Sequence, residues 1–224
     1  MLYNLIYYFY GGKRKNMNLT NYYWYFQSAI PERICDDIVR YGKQLQDQMA
    51  MTGGYGDRKL NAKQTKDLKK KRNSDIVWMS DRWIYREIQP YVHQANANAG
   101  WNFQWDFSES CQFTKYTKGQ FYDWHCDGWD RPYMREGNDP SNGKIRKLSV
   151  TVTLSDPKEY SGGELEFDFR NMDPDKKRNV VKCKEILPKG SLVVFPGFVW
   201  HRVCPVKKGK RHSLVIWNLG WPYK

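Results

Sequence analysis

Hydrophobic and polar positions along the chain follow one period and then another. After an aromatic, extended-looking stretch at residues 18–29 (NLTNYYWYFQSA), Pro31 opens a pattern in which Ile34, Ile38, Tyr41 and Leu45 recur at helical spacing. That helix should end near Met51, where TGGYG breaks it. Residues 75–79 (DIVWM) predict a short strand. Ser80 or Asp81 then caps a second helix bearing Trp83, Ile84, Ile88 and Tyr91; Pro90 should kink or interrupt it, and Gly100 should stop it. From Trp101 the period falls to two. WNFQWDF, SCQFTKY, FYDWHCD, KLSVTVTLS, GELEFDF, KEILP, SLVVFP and HSLVIWNL each read as a strand, with turns at pairs such as Lys118-Gly119, Asn142-Gly143 and Pro196-Gly197. Helices followed by about eight strands predict a mainly β (α+β) jelly roll, with helical support at 30–100 packed on one sheet of a core at 101–220.

Composition narrows this picture. A chain of 224 residues with 40% hydrophobic and 16% aromatic content can bury a core as one domain, and it shows no internal repeat. Its formal charge of +13 is uneven: Arg58, Lys59, Lys63, Lys66, Lys69, Lys70, Lys71 and Arg72 face one acid, Asp67. The plain reading of 58–72 is a solvated, mobile basic loop; the sharper one is a grip on nucleic acid or an acidic protein. Five cysteines, an odd number with no CxxC, fit neither a disulfide framework nor a zinc knuckle. A reducing cytoplasm, that of the host for a viral protein, is the simplest home. MLYNLIYYFY is too short to span a bilayer and lacks signal-peptide features. Residues 1–16 therefore read as a leader or extension before Met17, or else as a weak interfacial anchor, and 17–224 as a single domain.

Candidate chemistry centres on WHCDGW, residues 124–129. On a strand, His125 and Asp127 share a face while Cys126 points away; Tyr122 and Trp124 fall on the other face if the strand is regular. His201, after SLVVFPGFVW, can complete two imidazoles and a carboxylate. Such a facial set leaves coordination positions open and is associated with non-haem Fe(II); a zinc hydrolase could use similar ligands. Further on, Arg211, Ser213, Val215 and Trp217 share a face, and a guanidinium beside a hydroxyl makes a carboxylate site. His212 points the other way, and His93 reads as surface or packing.

KYTKGQFYDWHCD, SGGELEF and VVFPGFVWHRVCPVKKGKRHSLVIW, in that order, resemble the 2-oxoglutarate and Fe(II)-dependent dioxygenases over residues 110–219. More narrowly they resemble the prolyl 4-hydroxylase-like branch with its compact bacterial and phage members. The resemblance implies a double-stranded β-helix whose catalytic iron ligands are His125, Asp127 and His201. It implies that Arg211, helped by Ser213, binds the distal carboxylate of 2-oxoglutarate, and that Tyr116 and Tyr122 line the cosubstrate pocket. Thr151 or Thr153 stands where some members use a further tyrosine, and Gly162 and Gly163 are turn residues. The implied reaction consumes O2, with ascorbate as reductant. It hydroxylates prolyl residues at the 4-position in a peptide or protein and releases succinate and CO2. Trp124, Trp129, Tyr133 and Trp200 could wall the entrance, although core packing explains each at least as well. Arg131 and Arg146 could contact substrate carbonyls, and 53–74 and the loop after Asp127 could fold over a peptide. Two other readings stay open. A nucleic-acid oxidative dealkylase would suit the charge, but RHSLVIWNLG lacks that branch's second arginine. A non-catalytic ligand-binding jelly roll would not need the intact His125, Asp127, His201 and Arg211. A hydroxylase of a free amino acid also fits. Nothing in the sequence sets an oligomeric state.

Overall fold

A computed structural model describes residues 5–10, 13–19, 21–45, 48–49, 61–128, 131–169 and 176–223. Two antiparallel sheets form the body. The larger runs in the order Trp24–Phe26, Leu192–Pro196, Ile145–Thr153, Arg211–Gly220, Cys111–Tyr116, Asp75–Met79 and Gln48–Met49, with Phe107–Ser108 added against the end of Arg211–Gly220. The smaller runs Val180–Lys182, Leu165–Asp168, Trp200–Val203, Phe121–His125 and Arg72–Asn73. The non-sequential strand order is that of a jelly roll, as the late strand pattern predicts.

Alternation sorts the two faces of the larger sheet. Leu148, Val150, Val152, Leu214, Ile216 and Phe113 are buried in one cluster with Ile38 of helix α1 (Glu32–Gln44) and Ile84, Ile88 and Val92 of helix α3 (Arg82–Asn98). Fully burying each such side chain is worth roughly 1.5–3 kcal/mol, so this helix-backed face supplies most of the cohesion. At Gly42, in the last turn of helix α1, a Cβ would stand 2.7 Å from the Phe113 ring, which accounts for the glycine. The opposite face carries Ser149, Thr151, Thr153, Ser213 and Thr114, all buried and polar. Cross-strand register aligns Thr153 with Ser213 and Ser213 with Thr114, so these residues make a continuous polar lining.

Several boundaries differ from the sequence reading. Helix α1 stops at Gln44 with Leu45 already extended, short of Met51; residues 46–47 and 50–60 lie outside the described residues. Pro90 does not interrupt α3, because Ile84 and Ile88 before it and Val92 and Ala95 after it anchor the helix on the sheet. KEILP forms a single 3-10 turn, Lys184–Ile186, closed by the Leu187 N–H on the Lys184 carbonyl, rather than a strand. WNFQWDF stays irregular up to Phe107, because the Asn96 side chain takes both the N–H and the carbonyl of Phe103. The basic segment is no loop over its described part: Ala62–Lys71 is helix α2, opened by a capping box between Asn61 and Gln64 and held by buried Leu68. Arg58 and Lys59 lie outside the described residues. Near the start of the chain, Leu5–Tyr10 pairs with Lys13–Asn18 as a hairpin. Among the described residues, no helix is long and apolar enough to cross a membrane.

Candidate metal centre and cosubstrate pocket

The smaller sheet brings His125 and His201 directly opposite each other on neighbouring strands. Asp127 follows two residues beyond the strand's last residue, His125, and its loop is clamped: the N–H groups of Asp127 and Gly128 both donate to the Gly197 carbonyl at 2.8 Å. That clamp needs glycine on both sides, since a Cβ on Gly128 or Gly197 would fall 2.5 or 2.7 Å from the Arg146 carbonyl oxygen. The Pro196-Gly197 turn thus fixes Asp127 and, four residues later, presents His201. His125 Nε2 lies 3.7 Å and His201 Nε2 3.5 Å from the Asp127 carboxylate, and one ligand atom from each residue falls within 4.8 Å of the others.

The protonation states suit a metal. His125 Nδ1 sits 2.7 Å from the Asp123 carbonyl and His201 Nδ1 2.9 Å from the Val199 carbonyl. A carbonyl only accepts, so each Nδ1 carries a hydrogen, and Nε2 is left as the ring atom that faces Asp127 and can ligate. Burial, followed by the neighbouring His201, pushes the His125 pKa down to about 3. Burial alone would raise the Asp127 carboxyl, but His201, His125 and Arg146 outweigh it and bring it down to about 2. Ser149 Oγ donates to Asp127 Oδ2 at 2.8 Å, orienting the carboxylate. Two imidazoles presenting Nε2 and an ionised, oriented carboxylate are a ready donor set for a divalent cation.

Tyr122 reaches this centre by an irregularity. His201 pairs with His125 and Val203 with Tyr122, so three steps on one strand match two on the other. This bulge turns Tyr122 onto the face of His125, where the rings stack at 3.5 Å; a regular strand would have put it on the other face. Trp124 remains on the far side, beneath the guanidinium groups of Arg202 at 4.7 Å and Arg178 at 5.5 Å, so it does not wall the entrance. Trp200, adjacent to His201 on its strand, is half-buried and faces away from it. Trp129 lies outside the described residues.

Further along the polar lining, Arg211 is 2% exposed and pairs across the ladder with Tyr116, its guanidinium 5.6 Å from the Tyr116 ring centre. It donates to Ser213 Oγ at 3.2 Å and meets no carboxylate among the described residues. A buried guanidinium without a counter-ion is costly unless an anion joins it. His212 is buried on the helix-backed face, away from the polar lining, stacked on Phe113 and bonded to Ser155, and His93 stacks on Trp105 at the surface, as the sequence reading has both.

A second buried cation escaped the sequence reading. Arg72, just past α2, is 4% exposed; its guanidinium lies 4.5 Å over Tyr122, its Nε donates to Ser74, and its other terminal nitrogen has no partner among the described residues. The available signal was RNSDIVW, where Arg72 and Ser74 continue the alternation of the following strand onto one face. Arg146 sits 3.8 Å over Trp217 and is tied to Glu109, with Tyr133 beside that pair and exposed Trp78 at 6.1 Å from Trp217. Arg131 is exposed.

Residues 111–218 match the model of the 2OG-Fe(II) oxygenase superfamily. The resemblance to that superfamily thus spans the strands and loop that carry His125, Asp127, His201 and Arg211. Similar sequences include a PKHD-type hydroxylase of Xanthomonas euvesicatoria, 37% identical over 109 residues, which is 47% of this chain and 42% of that protein. The PKHD-type hydroxylase YbiX of Escherichia coli O157:H7 is also 37% identical, over 47% of this chain and 40% of YbiX. The chain thus aligns with about two-fifths of these relatives' length. The likeness in fold extends beyond the matched residues. A Pseudomonas putida prolyl-4-hydroxylase aligns with 89% of this chain and 93% of its own at TM-score 0.61 and 19% identity. The viral collagen prolyl hydroxylase of Paramecium bursaria Chlorella virus-1, in its 2OG complex, aligns with 90% and 97% at TM-score 0.59 and 20% identity. A Trichoplax adhaerens prolyl hydroxylase, solved with a hypoxia inducible factor peptide fragment, aligns with 89% and 84% at TM-score 0.56 and 17% identity.

Proposed function

We propose that this chain is a 2-oxoglutarate- and Fe(II)-dependent dioxygenase that hydroxylates prolyl residues of a peptide or protein. The observation that carries the reading is the pairing, inside one barrel, of a convergent His125–Asp127–His201 set with the buried, uncompensated Arg211. The first suits a divalent metal and the second a carboxylate. Fe(II), when bound with 2-oxoglutarate, supplies the O2 chemistry that couples loss of CO2 to hydroxylation.

The chain's own residues do the rest. His125, Asp127 and His201 would hold the metal, with Ser149 keeping Asp127 in place. Arg211 and Ser213 would clamp the distal carboxylate of 2-oxoglutarate, and Tyr116, Thr114 and Thr153 line the space around it. Arg72 and Arg146 present buried or half-buried guanidinium groups on two sides of the Tyr122–His125 stack and Trp217, where they can donate to the carbonyls of an extended peptide. Exposed Trp78, beside buried Trp217, offers flat apolar surface suited to a proline ring. The structural neighbour solved with a peptide fragment supports a peptide as substrate, and the relatives' name supports hydroxylation.

The test is a panel of proline-containing peptides and methylated oligonucleotides, incubated with 2-oxoglutarate, Fe(II) and ascorbate. A mass gain of one oxygen on proline is expected. Turnover stimulated only by methylated oligonucleotides would replace this reading with oxidative dealkylation, with the lysines of α2 as phosphate contacts.

A further inference from the structure

A second cavity lies away from the metal centre, beside the end of the chain. Its volume is about 510 Å³, and Phe103, Trp105, Trp221 and Tyr223 supply its aromatic walls, with Lys147 between them. Lys147 is 4% exposed. It is the extra residue of a bulge: Arg146 pairs with Leu219 and Leu148 with Asn218, so Lys147 has no ladder partner. Bulges re-aim side chains, and this one sends Lys147 to the cavity while Arg146 sits over Trp217.

The ammonium has no carboxylate partner among the described residues. Its nearest compensation is the Tyr223 ring, 3.5 Å from Nζ to the ring centre. Asp106, which also lines the cavity, is taken by Lys144 at 2.8 Å. Burial accordingly pushes Lys147 down to about 8. A buried cation under an open aromatic cavity is incomplete: the ring face gives about 0.5–2 kcal/mol, less than a desolvated charge requires.

We infer that this cavity binds a ligand with a flat apolar body and a single carboxylate, the body against Phe103, Trp105 and Trp221 and the carboxylate on Lys147. One ammonium suits one carboxylate; a phosphate or dicarboxylate would lack further donors, and a neutral ligand would leave Lys147 uncompensated. A small aromatic acid or the C-terminal aromatic residue of a peptide has this chemistry.

The test is titration of the full chain with 2-naphthoate, N-acetyltryptophan and the uncharged 2-naphthamide, read by quenching of Trp105 and Trp221 and by calorimetry. Saturable one-to-one binding of 2-naphthoate is expected, weakened about ten- to a hundredfold in Lys147→Met, the loss of one charged hydrogen bond. Lys147→Met removes an uncompensated buried charge and should fold; Lys147→Arg should keep binding. Arg211→Met should bind 2-naphthoate as the wild type does, which separates this cavity from the cosubstrate pocket. Lys147-dependent binding of N-acetyltryptophan points to a peptide terminus as the source, and its failure beside intact 2-naphthoate binding points to a small acid. Equal affinity for 2-naphthoate and 2-naphthamide, or unchanged binding in Lys147→Met, would overturn the inference.

Discussion

Arg211 holds its charge inside the barrel with one serine hydroxyl for company, and that imbalance makes it separable from the metal ligands. Arg211→Met should raise the 2-oxoglutarate requirement by about a hundredfold, the value of a charge-assisted pair, while divalent metal binding stays within a few-fold. The same variant should leave the ligand-free protein at least as stable to urea, because it removes a desolvation cost. His212 offers a test on the helix-backed face. Burial, then the lysines Lys43 and Lys115, lowers its pKa to about 4 from 6.5. Its native value lies below its unfolded one, so the unfolded chain alone takes up this proton between those values. Stability should therefore fall as pH drops from 6.5 toward 4, by about 3 kcal/mol from this residue. In His212→Phe, which keeps a ring against Phe113, a plot of urea midpoint against pH should be flatter across that window. The clustering of His125, Asp127 and His201 and the inward side of Arg211 were legible because residue types and same-face spacing already constrain them. Arg72 was not: its side chain looks like one more charge in a basic run, and only the return of the chain across Tyr122 buries it.

Between residues and barrel stand a clamp, a bulge and a helix, each visible only in three dimensions. Gly128 and Gly197 close the Asp127 loop against the Arg146 carbonyl. Gly197→Ala forces that contact apart, and metal affinity should fall at least tenfold by competition with a chelator, with the larger sheet still folded by circular dichroism. Helix α2 is anchored by buried Leu68 and leads straight into Arg72. Leu68→Ala should cost about 2–5 kcal/mol locally, loosen Arg72, and raise the KM for a peptide while that for 2-oxoglutarate changes little. Strand periodicity in the second half was strong enough to read, as was the apolar stripe of α3. KEILP and the basic segment misled for opposite reasons: a short apolar run carries no secondary-structure preference strong enough to resist a local turn, and a capping box with one apolar anchor suffices to make a lysine-rich stretch helical.

As a whole, the molecule sets a helix-backed sheet behind a polar lining and hangs the His125–Asp127–His201 cluster on the facing sheet, so that cluster and Arg211 are held by different elements. This division is why the jelly-roll class could be anticipated from helices followed by short strands, whereas the order of strands within each sheet could not, since that depends on pairings far apart in sequence. The net charge of +13 concentrates partly on exposed lysines of α2, beside the strand that carries His125. Peptides with acidic residues flanking the proline should show a lower KM than neutral ones at low salt, and the difference should shrink as salt rises. The most direct test of the central claim is succinate formation from 2-oxoglutarate by the metal-loaded chain with a proline-containing peptide, in the wild type, Asp127→Ala and Arg211→Met. Succinate should form only with Fe(II), be stimulated by the peptide, vanish in Asp127→Ala, and return in Arg211→Met only at high 2-oxoglutarate. Absence of Fe(II)-dependent succinate in the wild type, or an Arg211→Met enzyme indistinguishable from it, would contradict the account.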